Sequence, residues 1–280
     1  MCRNLIIAVS ILTCTMIALP SHAADRVTFV SKVSEDGKDR VETQILTYDG
    51  DRVRVDLLPG TAEKVTASTP YLLTIDGGAN WVLADEDDAF CTKMETDKFF
   101  KDVGSSLRRL GKLVGLKVAP VELNKVLEEP GPEILGYPTT HVRLESTIAG
   151  EARLIIKKYE YTAKLSEDIW YATDLEMHPI RKKWIAALTQ SGIPGFEDLT
   201  SKWSEHVQGA VARHVLELEL TDVVKGKKTT TREEIEATAL EQLDAAQLPE
   251  NVFKVPDCTD DKSSVTDAAK KMLDLGQMRP

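Results

Sequence analysis

The sequence predicts an α+β protein built on one large antiparallel β-sheet, and three observations support this prediction. Segments with alternating apolar and polar residues follow one another along the chain, joined by short turns rich in Gly, Asp and Pro. Three other segments show the apolar spacing of amphipathic helices. Strands in consecutive runs, rather than in alternation with helices, favour α+β over α/β. We therefore expect about ten or eleven strands in one curved sheet, with the helices across one face.

The chain begins with a pattern typical of a secretory signal peptide. Arg3 supplies a positive charge, residues 5–19 are almost wholly apolar, and Ser21-His22-Ala23 resembles a cleavage site. The apolar run is shorter than the ~20 residues that a membrane-spanning helix needs. We expect residues 1–23 to be a signal peptide cleaved after Ala23, so that the protein is exported to the periplasm or outside the cell.

Residues 24–260 are predicted to form one β-rich domain, followed by a polar, loosely helical tail at 261–280. No linker rich in Pro, Gly or Ser divides this region, and no later segment has an uncharged run of spanning length. Cleavage after Ala23 would leave 34 basic and 45 acidic residues, a net charge of −11. Such a surface repels phosphate backbones, which argues against nucleic acid as a partner. We expect no stable membrane span.

Two cysteines remain after the predicted cleavage, Cys91 and Cys258. An even pair in an oxidising compartment fits one disulfide, which would tie the first third of the domain to its end. The alternative is two separate buried thiols. No histidine lies near either cysteine in the sequence, so the pair does not resemble a zinc site.

The first half of the domain is predicted to form hairpins. After an opening strand at 27–33, the segments 41–48 and 52–57 flank Asp49-Gly50, a strong hairpin signal. In the segment 52–57, apolar and charged residues alternate strictly, as expected for a sheet with one buried face. The next hairpin joins 71–75 to 81–83 and is followed by an acidic run and a strand at 89–94. We interpret the acidic run, Asp85-Glu86-Asp87-Asp88, as a solvated loop because it lacks the spacing and glycine of a calcium loop.

Three helices are predicted at 95–116, 177–191 and 196–205. The first carries a stripe of apolar side chains three and four residues apart, with Lys and Arg between them. The second begins near Pro179, a residue favoured in the first turn of a helix. Around these helices, further strands are predicted at 117–127, 139–147, 151–163, 168–174, 212–223 and 228–237.

Several short motifs, in order, resemble those of a family of exported bacterial proteins. They are Tyr48-Asp49-Gly50 with the strand 51–56, Leu73-Thr74-Ile75-Asp76 with Trp81–Asp85, Ile134–Thr140, Ile169–Asp174, and Leu248-Pro249 with Phe253–Pro256. The family's fold resembles that of LolA and LppX, the lipoprotein and lipid carriers of the cell envelope. This resemblance covers most of the domain and implies an open half-barrel, a bent antiparallel sheet with helices on its concave side. The space between sheet and helices would hold an acyl chain. The family has no agreed active site, so the resemblance transfers no functional residue.

One set of apolar side chains is the strongest candidate for a ligand-binding wall, because binding pockets are concave and mainly apolar. The set comprises Phe99, Phe100, Leu107, Trp170, Tyr171, Ile180, Trp184 and Trp203. The alternative is an ordinary core between helices and sheet, which is the usual role of a helical stripe. The sequence contains no nucleophile elbow, phosphate loop, dinucleotide motif or histidine pair with metal-ligand spacing. We therefore expect no catalytic residue, metal or cofactor.

These observations leave three functional hypotheses. The first is a non-enzymatic carrier of a lipid or another hydrophobic ligand, bound by apolar burial worth about 25 cal/mol per Å². The second is a sensor or interaction module with a filled core, whose partner is another envelope protein. The third is a hydrolase, which would need a polar cluster inside the cavity.

Overall fold

The computed structural model describes residues 17–18, 24–35, 37–60, 69–85, 91–154, 157–193, 196–244 and 247–258. The predicted tail, most of the predicted signal peptide and most of the acidic run therefore lie outside the described residues. Among the described residues, no helix is long and apolar enough to cross a membrane.

Seven strands precede the first described helix. They are β1 (Ile17–Ala18), β2 (Ala24–Glu35), β3 (Lys38–Asp49), β4 (Arg52–Pro59), β5 (Pro70–Thr74), β6 (Asn80–Asp85) and β7 (Cys91–Glu95). Helix α1 (Thr96–Leu113) follows directly. Gly50, with a φ of 55°, turns the chain between β3 and β4, as the Asp-Gly pair predicts.

The second half combines long strands with two short helices. Its elements are β8 (Lys117–Val118), β9 (Glu122–Pro130), β10 (Thr139–Leu154), β11 (Lys157–Ala172), β12 (Glu176–Met177), α2 (Pro179–Thr189), α3 (Phe196–His206), β13 (Ala210–Asp222) and β14 (Lys227–Leu243). Helix α2 begins at Pro179, and the His178 ring caps it by accepting a hydrogen bond from the Ile180 backbone N–H.

Twelve strands form one antiparallel sheet in the order β7-β6-β5-β4-β3-β2-β14-β13-β11-β10-β8, with β9 also paired to β10. In the described part of the chain, β7 at one edge pairs with neither β8 nor β9 at the other, so the sheet is open. Register shifts interrupt the ladders β9–β10, β11–β13 and β14–β2. Such bulges bend a strand and increase its twist, which suits a curved sheet. The predicted α+β class is confirmed.

The strand boundaries differ from the prediction mainly in the second half. The predicted strands 139–147 and 151–163 leave residues 148–150 between them, but Gly150 stays in β10 and pairs with Tyr161 on one side and Val118 on the other. The segments 151–163 and 168–174 therefore do not form two strands, because most of both belongs to the single strand β11. In the opposite sense, the predicted strand 117–127 is split into β8 and β9 around Pro120, which has no N–H for a ladder.

The C-terminal segment lies against the first strands, on the face of the sheet that the helices do not cover. Cys258 is buried with Tyr71, Leu73, Val82 and Ala84, and Phe253 packs against the same cluster. A disulfide joins Cys258 to Cys91 on the edge strand β7, the pair predicted from the sequence. This segment therefore connects the end of the described chain to the edge of the sheet.

Candidate functional site

The helices cover one face of the sheet, which we call the inner face. Directly paired residues in antiparallel strands point to the same side, so the ladders assign each side chain to a face. The inner face of strands β2 to β6 and of β14 is lined by apolar side chains, including Phe29, Leu46, Val55, Leu72 and Ile235. They form one buried cluster with residues from α1 and α2.

An aromatic group joins α1 and α2 to the inner face. Trp184 of α2 meets Trp81 of β6 edge to face, with ring centroids 5.6 Å apart, and Phe100 of α1 in the same way at 5.3 Å. Phe99 and Phe100 also meet at 5.3 Å. Edge-to-face pairs of this kind stabilise a core beyond the area that they bury. Three rings of the predicted wall, Phe99, Phe100 and Trp184, thus form a series of contacts that continues to Trp81, which was not part of the prediction.

Two close approaches set the positions of the helices. The Thr96 hydroxyl at the start of α1 donates to the Gly78 carbonyl at 2.6 Å, and Gly78 itself faces Ile180 of α2 so closely that an added Cβ would lie 3.1 Å from that side chain. Further along α1, a Cβ on Gly104 would lie 1.9 Å from the Ser191 carbonyl oxygen after α2. Arg108 of α1 donates to the same oxygen at 3.0 Å. Small residues therefore allow α1 and α2 to pack closely.

Helix α3 covers a second part of the inner face. Trp203 packs against a buried cluster that includes Val142, Leu144, Ile169 and Tyr171. Its ring N–H donates to Glu167 Oε2 at 3.2 Å, and His214 Nε2 lies 3.0 Å from the same oxygen. The second apolar cluster thus borders a buried carboxylate–histidine pair.

A band of polar side chains crosses the inner face beside the apolar cluster. We call it the inner polar band: Glu167 of β11, His214 of β13, Glu233 of β14, Ser31 of β2, and Arg40, Glu42 and Gln44 of β3. The ladders place these residues in adjoining rows. Leu216 pairs with both Glu167 and Glu233, Ile235 pairs with both His214 and Ser31, and Ser31 pairs with Glu42.

Two of the three carboxylates of the inner polar band, Glu167 and Glu42, have an ion-pair partner among the described residues, and Glu233 has none. Glu167 is paired with His214, and Arg40 Nε lies 2.7 Å from Glu42 Oε1. Burial raises the pKa of Glu42, although Arg40 opposes the change. Burial also raises the pKa of Glu233 to about 7, against weaker lowering effects of His214, Arg40 and Ser31. Glu233 is thus poised to change its charge near neutral pH.

Seven side chains on the inner face, or on the helices that cover it, have buried polar atoms without a hydrogen-bond partner among the described residues. They are Ser31, Gln44, Tyr48, Trp81, Ser146, Trp184 and Glu233. The Ser31 hydroxyl is close enough to Glu233 to lower the pKa of that carboxyl group. The geometry between the two groups is nevertheless not that of a hydrogen bond. Buried polar atoms nearly always have partners, so this concentration on one surface requires an explanation.

Trp170 lies on the opposite, outer face and is removed from the predicted wall. Its ring stacks on His141 at 4.3 Å, and the Arg213 guanidinium lies 4.7 Å from its centroid. His141 Nε2 is 2.7 Å from Asp168 Oδ1, which also accepts from Arg143 Nε at 2.8 Å. Arg143 and His141 hold the pKa of Asp168 below its usual range, against the opposing effect of burial.

The other members of the predicted wall lie on the helix side of the sheet, in two groups. Phe99, Phe100, Ile180 and Trp184 belong to the larger apolar cluster, and Leu107 packs against it. Tyr171 belongs to the smaller cluster and Trp203 packs against it. Whether any of them contacts a ligand stays a prediction. Among the described residues, no group of three or more His, Cys, Asp or Glu could hold a metal ion.

The inner polar band was not predicted from the sequence. Its members occur in strands, where a charged or amide side chain is normally assigned to the solvent-facing side. One signal was available: Glu233 is in phase with the apolar residues Ile235 and Ala237, and Gln44 is in phase with Leu46 and Tyr48. A polar residue in phase with the buried face is a candidate for a functional position.

Comparison with known proteins gives similarity of structure alone. No protein-family model matches the chain, and no curated protein matches it. Similar solved structures include PNGF-II, with a TM-score of 0.36 and 15% identity, covering 89% of this chain and 32% of that one. Thus this chain spans about a third of the length of that protein.

Two further similar structures are covered over nearly their whole length. A putative outer membrane lipoprotein-sorting protein domain from Vibrio parahaemolyticus has a TM-score of 0.30 and 8% identity, with 90% of this chain and 95% of that chain covered. A DUF1329 family protein from Desulfovibrio piger has a TM-score of 0.28 and 7% identity, with 90% and 96% covered. Similarity at this level carries no information about a ligand or a reaction.

Proposed function

We propose that this protein is an exported, non-enzymatic binding protein that holds the hydrophobic part of a ligand between the inner face of the sheet and helices α1 and α2. The observation that carries the proposal is the concentration of unpartnered polar atoms on that surface, among them ring N–H groups of Trp81 and Trp184 inside the apolar cluster. A ligand with an apolar chain and a few oxygen acceptors would satisfy both kinds of surface.

Two features support a location outside the cytoplasm. The signal-peptide pattern of residues 1–23 directs a chain to export. The disulfide between Cys91 and Cys258 is of a type that persists in oxidising compartments. The periplasm is the compartment that fits both, and a lipid of the cell envelope is the ligand class that it would supply.

The arrangement of the inner polar band favours binding over hydrolysis. Ser31 is its only hydroxyl, and His214 its only histidine. Ile235 lies between them in the register, so they are two strand spacings apart, about 10 Å. A nucleophilic serine and its base need to be within hydrogen-bonding reach. His214 instead pairs with Glu167.

Native mass spectrometry of the protein purified from the periplasm, followed by solvent extraction and lipid analysis, tests the proposal. We expect a stoichiometric adduct that disappears after extraction. The variant Trp184→Phe should weaken adduct retention while preserving most of the apolar packing, whereas Trp170→Phe on the outer face should leave it unchanged. A protein that carries no adduct, even after incubation with envelope lipids, would overturn the carrier proposal.

The second candidate function is a sensor or interaction module with a filled core. The mutual edge-to-face contacts of Phe99, Phe100, Trp81 and Trp184 favour it, because rings that pack against each other leave less surface for a ligand. This function predicts no bound lipid. It also predicts recovery of one envelope protein when the tagged protein is crosslinked in the periplasm and purified.

A further inference from the structure

Three buried polar side chains of the inner polar band have atoms without partners among the described residues. Glu233 is 2% exposed, and neither of its carboxylate oxygens has a hydrogen-bond partner. Ser31 is 1% exposed and Gln44 is 2% exposed, and the hydroxyl of the first and the amide nitrogen of the second are also unpartnered. Burial of polar atoms is unfavourable unless they are hydrogen-bonded, so a group that bonds to them would bind favourably.

The register places Ser31 next to Glu233, and Gln44 farther along the inner face. Glu233 pairs with Val33 across the β14–β2 ladder, and Ser31 lies two residues from Val33 on the same side of the strand. Phe29, two residues further along, pairs with Gln44 across the β2–β3 ladder. The three side chains thus lie on a diagonal across three neighbouring strands. Each step is one strand spacing of about 5 Å and two residues, about 7 Å, along the strand, so the Cα atoms of Glu233 and Ser31 are about 8 Å apart and those of Glu233 and Gln44 about 16 Å.

The charges around Glu233 indicate what it would bind. Glu167 is paired with His214, and Arg40 is paired with Glu42. Glu233 is therefore a carboxylate of the band without an ion-pair partner among the described residues. It can accept hydrogen bonds from a cationic nitrogen, and the Ser31 hydroxyl can accept another. The Gln44 amide nitrogen also needs an acceptor, but it is too far from Glu233 for one small head group to reach both.

We propose that Glu233 and Ser31 bind the polar head of an amphipathic ligand, and that this head carries a cationic nitrogen next to a hydroxyl group, as in an amino alcohol. The inference rests on the proposed function, because the hydrophobic tail would lie over the adjoining apolar cluster. That cluster begins at the next inward-facing positions, Ile235 on β14 and Phe29 on β2.

Isothermal titration calorimetry with three probes of equal chain length tests this assignment. The probes are 2-aminodecan-1-ol, decan-1-ol and decanoate, each titrated below its critical micelle concentration into the mature protein purified from the periplasm at pH 8. We expect the amino alcohol to bind about tenfold more tightly than the alcohol, the effect of one charge-assisted hydrogen bond, and decanoate to bind most weakly. Glu233→Gln should abolish the preference for the amino alcohol and leave decan-1-ol binding unchanged.

A matched control is Glu236→Gln, which changes the same side chain on the same strand. Glu236 pairs with Arg213 and lies near Arg213 Nε at 3.8 Å on the outer face. This variant should keep the preference of the wild type. If Glu233→Gln behaves like Glu236→Gln, or if the amino alcohol and the alcohol bind equally to the wild type, the head-group assignment is wrong while the proposed function stands. If none of the three probes binds, the proposed function fails, and the assignment fails with it.

The dependence of binding on pH is a second readout. A cation requires the ionised form of Glu233, so the affinity of the amino alcohol for the wild type should fall as the pH is lowered from 8 to 5. His214, Glu42, Arg40 and Glu167 face the same region from β13, β3 and β11, and all four are unchanged in the variant, so the comparison of the two proteins isolates Glu233. The fall in affinity should be at least several-fold smaller in Glu233→Gln. Identical profiles in the two proteins would contradict the role of Glu233.

Discussion

Glu233 illustrates how a single buried carboxyl group links stability to pH. Its pKa is about 7 in the folded protein, above the ordinary value of 4.5, because burial disfavours the charged form. Its contribution to folding is therefore most favourable below pH 4.5, where it is protonated in both states. That contribution declines by about 3 kcal/mol as the pH rises from 4.5 through 7.

Removing this charge should stabilise the ligand-free protein at alkaline pH. We expect Glu233→Gln to raise the free energy of unfolding by about 1–3 kcal/mol at pH 8 and to change it little at pH 4.5, because glutamine does not ionise. Urea unfolding followed by circular dichroism at the two pH values measures this difference. Glu236→Gln serves as the outer-face control. A stabilisation of equal size at both pH values would show that ionisation of Glu233 is not its cause.

His178 has the opposite dependence on pH. Its Nδ1 accepts a hydrogen bond from the Ile180 N–H at 3.3 Å, and its ring meets Tyr48 edge to face at 5.2 Å. Burial lowers the pKa of His178 to about 4, from an ordinary value of 6.5. Its contribution to stability is present above pH 6.5 and is lost as the pH falls towards 4, where the protonated ring can no longer accept that bond.

An asparagine at this position should keep the helix cap without the titration. We expect His178→Asn to be less stable than the wild type by about 1 kcal/mol at pH 7.5, through loss of ring packing. As the pH falls from 6.5 to 4, the free energy of unfolding of the variant should decrease by up to about 3 kcal/mol less than that of the wild type. Thermal unfolding across this range, with His206→Asn at the end of α3 as control, checks both expectations. A variant with the acid sensitivity of the wild type would assign that sensitivity to other groups.

At the scale of elements, Gly104 controls the contact between α1 and the end of α2. A Cβ at this position would lie 1.9 Å from the Ser191 carbonyl oxygen, so Gly104→Ala should separate the two segments and destabilise the protein by about 1–3 kcal/mol. Gly111→Ala in the same helix is the matched control. Its Cβ would meet only the Leu116 side chain, at 3.4 Å, and the higher helix propensity of alanine should stabilise it by up to about 1 kcal/mol. Urea unfolding of both variants measures the contrast, and equal stabilities would show that the close approach is unimportant.

The disulfide connects the edge strand β7 to the C-terminal segment across 167 residues of sequence. A link across so long a loop restricts the unfolded chain strongly, so Cys91→Ala with Cys258→Ala should lower the free energy of unfolding by about 2–5 kcal/mol. The wild type treated with a reductant should resemble the double variant. Peptide mapping without reductant provides the direct check. Recovery of both thiols in free form from protein purified without reductant would refute the bridge.

At the scale of the whole molecule, the sequence predicts the types of elements better than their extents. Alternation and the Asp49-Gly50 turn correctly indicate the first hairpin, and the apolar stripe indicates α1. The position of Gly150 within a strand is not predictable locally, because it depends on the pairing of that residue with strands on both sides. The face occupied by Trp170 is obscured in a similar way by the run Ile169-Trp170-Tyr171 and by the bulge after Trp170.

The candidate site was only half predictable for the same reason. Apolar side chains at helical spacing identify the part of the surface supplied by α1 and α2. The polar part is assembled from residues on five strands that are far apart in sequence, from Ser31 to Glu233. Only the sheet order, with β2 next to β14, brings them together. The pairing of β2 with β14 joins the first long strand of the domain to the last one. Local sequence patterns do not determine a pairing between segments so far apart in the chain.

Photo-crosslinking tests most directly whether the inner face holds a hydrophobic ligand. A decanoyl ethanolamide probe with a diazirine at the end of its chain would be incubated with the purified protein and irradiated, and the labelled positions would be mapped by peptide mass spectrometry. We predict saturable labelling at inner-face positions such as Leu46, Phe100 and Trp184, which excess unlabelled probe suppresses. Labelling confined to outer-face peptides such as the one around His141, or labelling that unlabelled probe does not suppress, would contradict a ligand held between sheet and helices.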